Sequence, residues 1–249
     1  MILLIDQGNS LIKWNSYSRQ EFTTYRSGTF ADLENYLLSC GEDKQLSFEQ
    51  VLVSSVKSEE QSAELCTLLN KFFSVPIKFA KTSARFHQLV CSYDDYSKLG
   101  IDRWLAMIAV SHQIFSAFMI VDAGSAITLD VVDTEGLHLG GHIIPGLLMQ
   151  QSQLLSGTDK VKFSTTNTTD IDKAEPYELG KTTAEAVRNG CLTNICSYIE
   201  TMYLRESQKN ELTVILTGGD SEQLSKVLTI NHQVIPDLVL RGLYYSFFN

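Results

Sequence analysis

Two segments of the chain end an apolar run with an aspartate and a glycine turn, a combination that could bind phosphate. The first occupies residues 2–12 and carries Asp6, and the second occupies residues 118–128 and carries Asp122. Backbone N–H groups in such a turn can hold phosphate oxygens, and the carboxylate can hold a hydrated cation. A single Asp-x-Gly turn is also common in ordinary hairpins. Two copies in register favour a nucleotide site between duplicated lobes.

Lys13 and the segment from Gly100 to Arg103 supply further reactive groups. Lys13 lies on the second strand of the first hairpin, where its ammonium could reach a phosphate or could simply be solvated. At a predicted helix start, Asp102 could accept the proton of a substrate hydroxyl, and Arg103 could anchor a carboxylate or phosphate. The alternative is that Asp102 only caps the helix and that Arg103 is a surface charge.

Other motifs carry less weight. Gly218-Gly219 follows an apolar strand and could support a nucleobase or ribose, although it could equally be a plain strand-to-helix turn. Gly180-Lys181-Thr182 resembles the end of a P-loop, but Glu175 stands where the first glycine is required. The five histidines have no metal-ligand spacing, and no G-x-G-x-x-G occurs. Zinc-hydrolase and dehydrogenase functions are therefore disfavoured.

Composition narrows the class of protein. The 249 residues are 44% hydrophobic and 20% charged, as in globular proteins, and the net charge is −9 without a basic block. Nucleic-acid binding is therefore not expected. No apolar stretch approaches the roughly 20 residues that span a bilayer, and the first residues lack a basic region, so we expect no membrane span and a cytoplasmic location. The five cysteines include no C-x-x-C pair and are expected to be reduced.

The elements that position these groups alternate between strands and helices twice along the chain. Each hairpin continues into a second strand, at 11–17 and 127–132. Helices are predicted at 31–38, 59–73, 102–115 and 182–204, strands at 50–55, 76–79 and 212–216, and a glycine- and proline-rich turn at 140–146. This order predicts two similar α/β lobes that pack closely, with a cleft between the two hairpins.

Taken together, these segments resemble the type III pantothenate kinase family of the acetate and sugar kinase, Hsc70 and actin superfamily. The matching segments run in chain order at residues 6–13, 99–104, 122–130, 140–146, 179–184, 217–219 and 236–243. The resemblance implies an α/β fold of two duplicated ribonuclease-H-like (actin-like ATPase) lobes with a cleft between them. It places the N-terminal lobe at 1–115 and the C-terminal lobe at 116–249.

The resemblance also implies the cofactors and the site residues. ATP would be used with Mg²⁺ and a monovalent cation, K⁺ or NH₄⁺; Asp6 would face Mg²⁺ and Asp122 the monovalent cation. The implied ATP-binding residues are Asp6, Gln7, Gly8, Asn9, Ser10, Leu11, Ile12, Lys13 and Ser125. The implied pantothenate-binding residues are Tyr93, Gly100, Ile101, Asp102, Arg103 and Thr183, with Asp102 as general base.

The implied activity is the ATP-dependent phosphorylation of pantothenate to 4′-phosphopantothenate, the first step of coenzyme A synthesis. Family members are homodimers whose partner chain closes part of the substrate pocket, so Thr183 could serve the neighbouring subunit. Three positions depart from the family pattern: Ser10 and Ser125 replace threonine, and Tyr96 replaces a proline. Two alternatives stay open: a related kinase for another hydroxylated acid or sugar, and a non-catalytic ATP-binding regulatory or accessory protein.

Overall fold

The computed structural model describes residues 1–42, 47–157, 176–209 and 211–248. In chain order, the strands are β1 (Ile2–Gln7), β2 (Ile12–Ser18), β3 (Glu21–Phe22), β4 (Arg26–Gly28), β5 (Gln50–Ser55), β6 (Ile77–Phe79), β7 (Arg85–Phe86), β8 (Leu89–Val90), β9 (Phe118–Ala123), β10 (Ala126–Val132), β11 (His138–Pro145), β12 (Thr213–Thr217) and β13 (Gln233–Val234). The helices are α1 (Phe30–Glu42), α2 (Glu59–Phe72), α3 (Ile101–Ser111), α4 (Leu147–Ser156), α5 (Thr183–Ser207), α6 (Ser221–Ser225) and α7 (Leu238–Tyr245), and a 3₁₀ helix spans Tyr96–Lys98.

The backbone divides into two compact units. The first comprises Met1–Ile114 together with Asp237–Asn249, and the second comprises Phe115–Pro236. The sequence-based division into ATPase lobes at 115/116 stays a prediction. By its contacts, the C-terminal segment that this division gave to the second lobe groups with the first unit, because α7 packs on α3.

The first unit is built on a sheet with the strand order β3-β2-β1-β5-β6, in which β4 also pairs with β2. β1 is antiparallel to β2 and parallel to β5. Leu3, Leu4 and Ile5 of β1 are fully buried, which explains why this strand is a continuous apolar run rather than an alternating one. Both faces of β1 are therefore covered, and α7 contacts this strand within the same unit.

α2 shows how local sequence and packing agree in this unit. The side chain of Ser58 accepts a hydrogen bond from the Gln61 backbone N–H and caps the helix. Leu65, Leu68 and Leu69 recur at helical spacing and are buried in the core cluster that includes Leu3 of β1. The helix begins at Glu59, as predicted.

The second unit repeats the arrangement of the first. Its sheet has the order β11-β10-β9-β12-β13, with β9 antiparallel to β10 and parallel to β12. A hairpin followed by two parallel strands thus occurs in both units, which confirms the duplication predicted from the two Asp-x-Gly segments. α5 packs on this sheet through residues such as Leu192, Ile195 and Ile199.

One element differs from its prediction. Residues 140–146 were expected to form a turn, but residues 138–145 form the edge strand β11. Gly140 has a φ of +113°, and the register between β10 and β11 shifts opposite it. The glycine therefore marks a bulge within a strand and not a turn between strands. Within the described ranges, no helix is long and apolar enough to cross a membrane.

α7 lies against α3 at a contact that only glycine permits. A Cβ built on Gly242 would overlap the carbonyl oxygen and carbon of Leu105. Both residues are buried, and α7 also contacts β1 and β5. The two helix backbones therefore approach closely, and α7 supports the helix whose N-terminus carries Asp102.

Candidate active site

The first hairpin places a carboxylate and an ammonium side by side at the end of the sheet. Asp6 and Lys13 are directly opposite each other in the β1–β2 register, so their side chains lie on the same face. Asp6 is buried, with 7% of its surface exposed, whereas Lys13 is half-buried. The pair can therefore present one negative and one positive group to a ligand at the turn.

The turn itself joins the two strands through residues 8–11. Asn9, Ser10 and Leu11 are exposed, and a Cβ on Gly8 would lie 3.0 Å from the carbonyl oxygen of Leu11. Backbone N–H groups in an exposed turn of this kind can bind phosphate. Ile12 differs from its neighbours, because its side chain is buried in the core cluster and only its backbone can face a ligand.

Side chains of the neighbouring strand fix the end of β1. Ser55 donates a hydrogen bond through Oγ to Oε1 of Gln7 at 2.9 Å, and Nε2 of Gln7 donates to the Gln61 carbonyl at 3.3 Å. Lys57 donates from Nζ to the Asn9 carbonyl at 2.7 Å. Ser55 and Lys57 were missed from the sequence. The sequence signal there was a polar run at residues 54–61, interrupted by Val56, which begins within the last residues of the strand 50–55.

The start of α3 arranges the second group of predicted residues. Gly100 is the N-cap, and Asp102 lies in the first turn, where the helix dipole stabilises a negative charge. The backbone N–H of Arg103 donates to Oδ1 of Asp102 at 2.8 Å. A Cβ on Gly100 would lie 2.6 Å from the same oxygen. The Asp102 carboxylate therefore lies in the space that a side chain at position 100 would occupy, and glycine leaves that space open.

Arg103 is buried, with 6% of its surface exposed. Its Nη1 donates to the hydroxyl of Tyr93 at 2.9 Å, and its guanidinium carbon lies 5.8 Å from the centre of the Tyr93 ring. The structure thus brings together two predicted substrate residues that are ten positions apart. A role for Arg103 as a surface charge, the alternative from sequence, is wrong. The third predicted residue here, Ile101, is also buried.

The second hairpin places Asp122 at the end of β9, opposite Thr128. Ser125 is exposed in the following turn, where Gly124 donates from its backbone N–H to the Ala126 carbonyl at 3.1 Å. Like the first hairpin, this one offers a carboxylate beside a turn with an exposed hydroxyl. The two hairpins differ opposite the aspartate, where the second has a threonine in place of Lys13.

Two distant glycines close around this second turn. Gly218 has a φ of +93°, and a Cβ there would overlap the Asp122 carboxylate and the Ala123 carbonyl. Gly146 donates from its N–H to the Ser125 carbonyl at 3.1 Å, and its own Cβ would overlap the turn backbone. The sequence did not predict that these glycines meet the second hairpin.

The turn after Gly218 carries a carboxylate that the sequence analysis did not single out. The backbone N–H of Asp220 donates to the Ala123 carbonyl at 2.9 Å, which holds the turn against β9. Burial raises the pKa of Asp220 above its ordinary value.

Thr183 is the first residue of α5 and is exposed. Thr182 and Glu185 form a capping box: the Glu185 N–H donates to Oγ1 of Thr182, and the Thr182 N–H donates to the Glu185 carboxylate. A Cβ on Gly180 would overlap the backbone of Ala186 in the same helix. The Gly-Lys-Thr segment is thus a helix start and not a P-loop, as the sequence analysis predicted.

Each predicted metal position is a single carboxylate beside a turn. Among the described residues, no three histidine, cysteine or acidic side chains form a group that could hold a metal ion. Asp6 and Asp122 are hard oxygen donors, which suit Mg²⁺ and K⁺ better than softer metals. One protein carboxylate is enough for Mg²⁺ when nucleotide phosphates supply other ligands. The donor chemistry therefore fits both predicted cations.

A family model for type III pantothenate kinase matches residues 2–205. A type III pantothenate kinase from Pseudomonas savastanoi pv. phaseolicola is 33% identical over 246 residues, which cover 98% of this chain and 97% of the relative. The chain belongs to the type III pantothenate kinase family. The matched residues include both hairpins and the start of α3 and α5, and the full-length match extends to the segments around Gly218 and Gly242.

Solved structures agree with the fold. A Campylobacter jejuni protein of the Baf family, described as a transcriptional activator, matches with a TM-score of 0.58 and 22% identity, covering 97% of this chain and 95% of that one. The activator of 2-hydroxyisocaproyl-CoA dehydratase from Clostridium difficile, solved with bound ADPNP, matches with a TM-score of 0.55 and 12% identity, covering 99% and 94%. The predicted class of two duplicated actin-like ATPase lobes is confirmed.

Members of this pantothenate kinase family are phosphotransferases, and the prediction of an ATP-using kinase is confirmed at that level. The roles of the individual side chains stay predictions.

Proposed function

We propose that this protein transfers the terminal phosphoryl group of ATP to the primary hydroxyl of pantothenate. The product is 4′-phosphopantothenate, and the reaction is the first step of coenzyme A synthesis. Membership in the type III pantothenate kinase family supports the substrate. The observation that carries the proposal is the start of α3, where the Asp102 carboxylate lies beside the buried pair of Arg103 and Tyr93.

Phosphoryl transfer requires alignment and charge neutralisation more than covalent chemistry by the protein. The turn at 8–11 offers backbone N–H groups to the phosphates, and Lys13 offers a positive charge. Asp6 would hold Mg²⁺, which when bound would neutralise charge on the phosphate oxygens. Asp122 would hold K⁺ or NH₄⁺, and the exposed hydroxyl of Ser125 would contact ATP.

Asp102 would act as the general base. Its carboxylate would accept a hydrogen bond from the attacking hydroxyl of pantothenate and orient that oxygen in line with the phosphoryl group. The N–H of Arg103 already holds Oδ1 at 2.8 Å, so the carboxylate is oriented before substrate binds.

Arg103 would anchor the carboxylate of pantothenate, because a guanidinium binds a carboxylate through two parallel hydrogen bonds. Tyr93 fixes the guanidinium from its hydroxyl. Thr183, exposed at the start of α5, would contact pantothenate in the partner subunit of a homodimer. Gly100 and Ile101 would contribute backbone at the same helix start.

The test is ADP release from purified protein with ATP, Mg²⁺ and pantothenate, in K⁺ and in Na⁺ buffers. Asp102→Asn keeps the shape of the side chain and removes the base. We expect turnover to fall on the order of 10²- to 10⁴-fold in this variant while ATP affinity stays within about 2-fold. Wild-type turnover in Asp102→Asn would refute the role of the base. Folded, ATP-binding protein without pantothenate-dependent turnover in either salt would refute the substrate.

A further inference from the structure

Lys57 lies in the short connection between β5 and α2, beside the turn of the first hairpin. β1 and β5 are parallel, with Asp6 opposite Ser54 and Gln7 opposite Ser55. The residues that follow each strand therefore meet at the same edge of the sheet. The Nζ of Lys57 reaches the Asn9 carbonyl at 2.7 Å, although the two residues are 48 positions apart.

The backbone of Lys57 is held to the end of β1 through Ser55. The N–H of Lys57 donates to Oγ of Ser55 at 3.2 Å, and that hydroxyl donates to Oε1 of Gln7 at 2.9 Å. Oγ of Ser62 in α2 lies 3.1 Å from the same hydroxyl. The backbone of Lys57 is thus held beside the turn, and the hydrogen bond to the Asn9 carbonyl positions its ammonium before a ligand binds.

No carboxylate of the described residues forms an ion pair with the Lys57 ammonium. An ammonium has three donors, and the Asn9 carbonyl takes one of them. Across the described part of the chain, Lys57 forms no ion pair, although Glu59 and Glu60 follow it in the first turn of α2. Lys57 as a residue is half-buried, and it lies beside a turn of the kind whose backbone N–H groups can bind phosphate.

We propose that Lys57 binds the phosphates of ATP from the β5 side of the turn, opposite Lys13 on β2. This inference rests on the proposed use of the turn as a phosphate-binding loop. The hydrogen bond from Lys57 to the Asn9 carbonyl also stabilises the conformation of the turn. The same side chain therefore orders the turn and neutralises negative charge on the ATP phosphates. Loss of a charge-assisted hydrogen bond should weaken ATP binding by about 10- to 100-fold.

The experiment compares nucleotides that differ in the number of phosphates. Affinities for ATP, ADP and AMP are measured by calorimetry with Mg²⁺ for the wild type, Lys57→Met and Lys57→Arg. Lys71→Met is the matched control, because Lys71 is an exposed lysine in the last turn of α2, the helix that follows Lys57. We expect Lys57→Met to lower the affinity for ATP by about 10- to 100-fold and the affinity for AMP by less than about 3-fold. Lys57→Arg should keep most of the ATP affinity, and Lys71→Met should bind all three nucleotides as the wild type does.

Two results would overturn the proposal. Unchanged ATP affinity in Lys57→Met would show that the ammonium does not contact phosphate. Equal losses for ATP and AMP, with no rescue by Lys57→Arg, would show that Lys57 only shapes the turn. Pantothenate-dependent turnover of the wild type is measured separately. Its absence would refute the proposed substrate, and the ratio of ATP to AMP affinity would still decide the role of Lys57.

Discussion

Replacing Gly100 with alanine should slow phosphoryl transfer without removing any functional group. The Cβ of an alanine would lie 2.6 Å from Oδ1 of Asp102, whereas ordinary contacts begin near 3.4 Å. The backbone of Gly100 has φ −54° and ψ 134°, a conformation that alanine adopts without strain. The overlap is therefore with the Asp102 side chain, and the carboxylate can move away at less cost than the backbone can. We therefore expect the fold to stay intact and the Asp102 carboxylate to move.

The size of the effect follows from this geometry. The oxygen must shift by about 0.8 Å, which breaks or lengthens its 2.8 Å hydrogen bond from the Arg103 N–H. Misplacement of a catalytic group by about 1 Å can lower the rate on the order of 10²-fold. The stability cost is limited to the difference between glycine and alanine at an N-cap, at most about 1 kcal/mol.

The assay is steady-state ADP release at saturating ATP and pantothenate, with thermal unfolding followed by circular dichroism. Gly100→Ala should lower kcat about 100-fold and leave ATP affinity within about 2-fold. Gly190→Ala is the control, because a Cβ there meets nothing within 4 Å and Gly190 lies inside α5, outside the proposed site. A wild-type kcat in Gly100→Ala, in a protein that melts normally, would refute the idea that the orientation of Asp102 over Gly100 supports catalysis.

Two further predictions concern stability. Gly242→Ala would overlap the Leu105 carbonyl and should lower the free energy of unfolding by about 2 kcal/mol or more. Gly190→Ala in α5 has nothing within 4 Å of the new Cβ and should raise the free energy of unfolding by about 0.5–1 kcal/mol. Urea unfolding measures both changes, and equal effects of the two variants would contradict the packing argument. The raised pKa of Asp220 means that the folded state holds its proton more tightly than the unfolded state, so stability falls as the pH rises through and above 3.8. Asp220→Asn should therefore stabilise the nucleotide-free protein more at pH 7 than at pH 4, and an equal gain at both pH values would disprove this cause.

Much of the fold could be predicted because the deciding signals are local. The apolar run before Asp6 and its copy before Asp122 predicted two hairpins, and the structure gives both in the same register. Helical spacing of the apolar residues predicted the start of α2 at Glu59. The segment 140–146 was mispredicted because glycine and proline are as typical of a bulged edge strand as of a turn.

The candidate site was predicted in its residue types but not in its contacts. The aspartates, Lys13 and the start of α3 could be chosen from chemistry and spacing alone. The burial of Arg103 against Tyr93 could not be predicted, because the local sequence pattern does not distinguish a buried arginine from a surface one.

The sequence by itself determined the duplicated α/β design, the family and the acidic and basic groups available for phosphoryl transfer. Only the tertiary structure decided that Lys57 reaches Asn9, that Gly218 closes over Asp122 and that α7 packs on α3 at Gly242. These contacts join segments from 48 to more than 130 positions apart. Residue type and periodicity act within one element, whereas such contacts depend on strand register and close packing between elements.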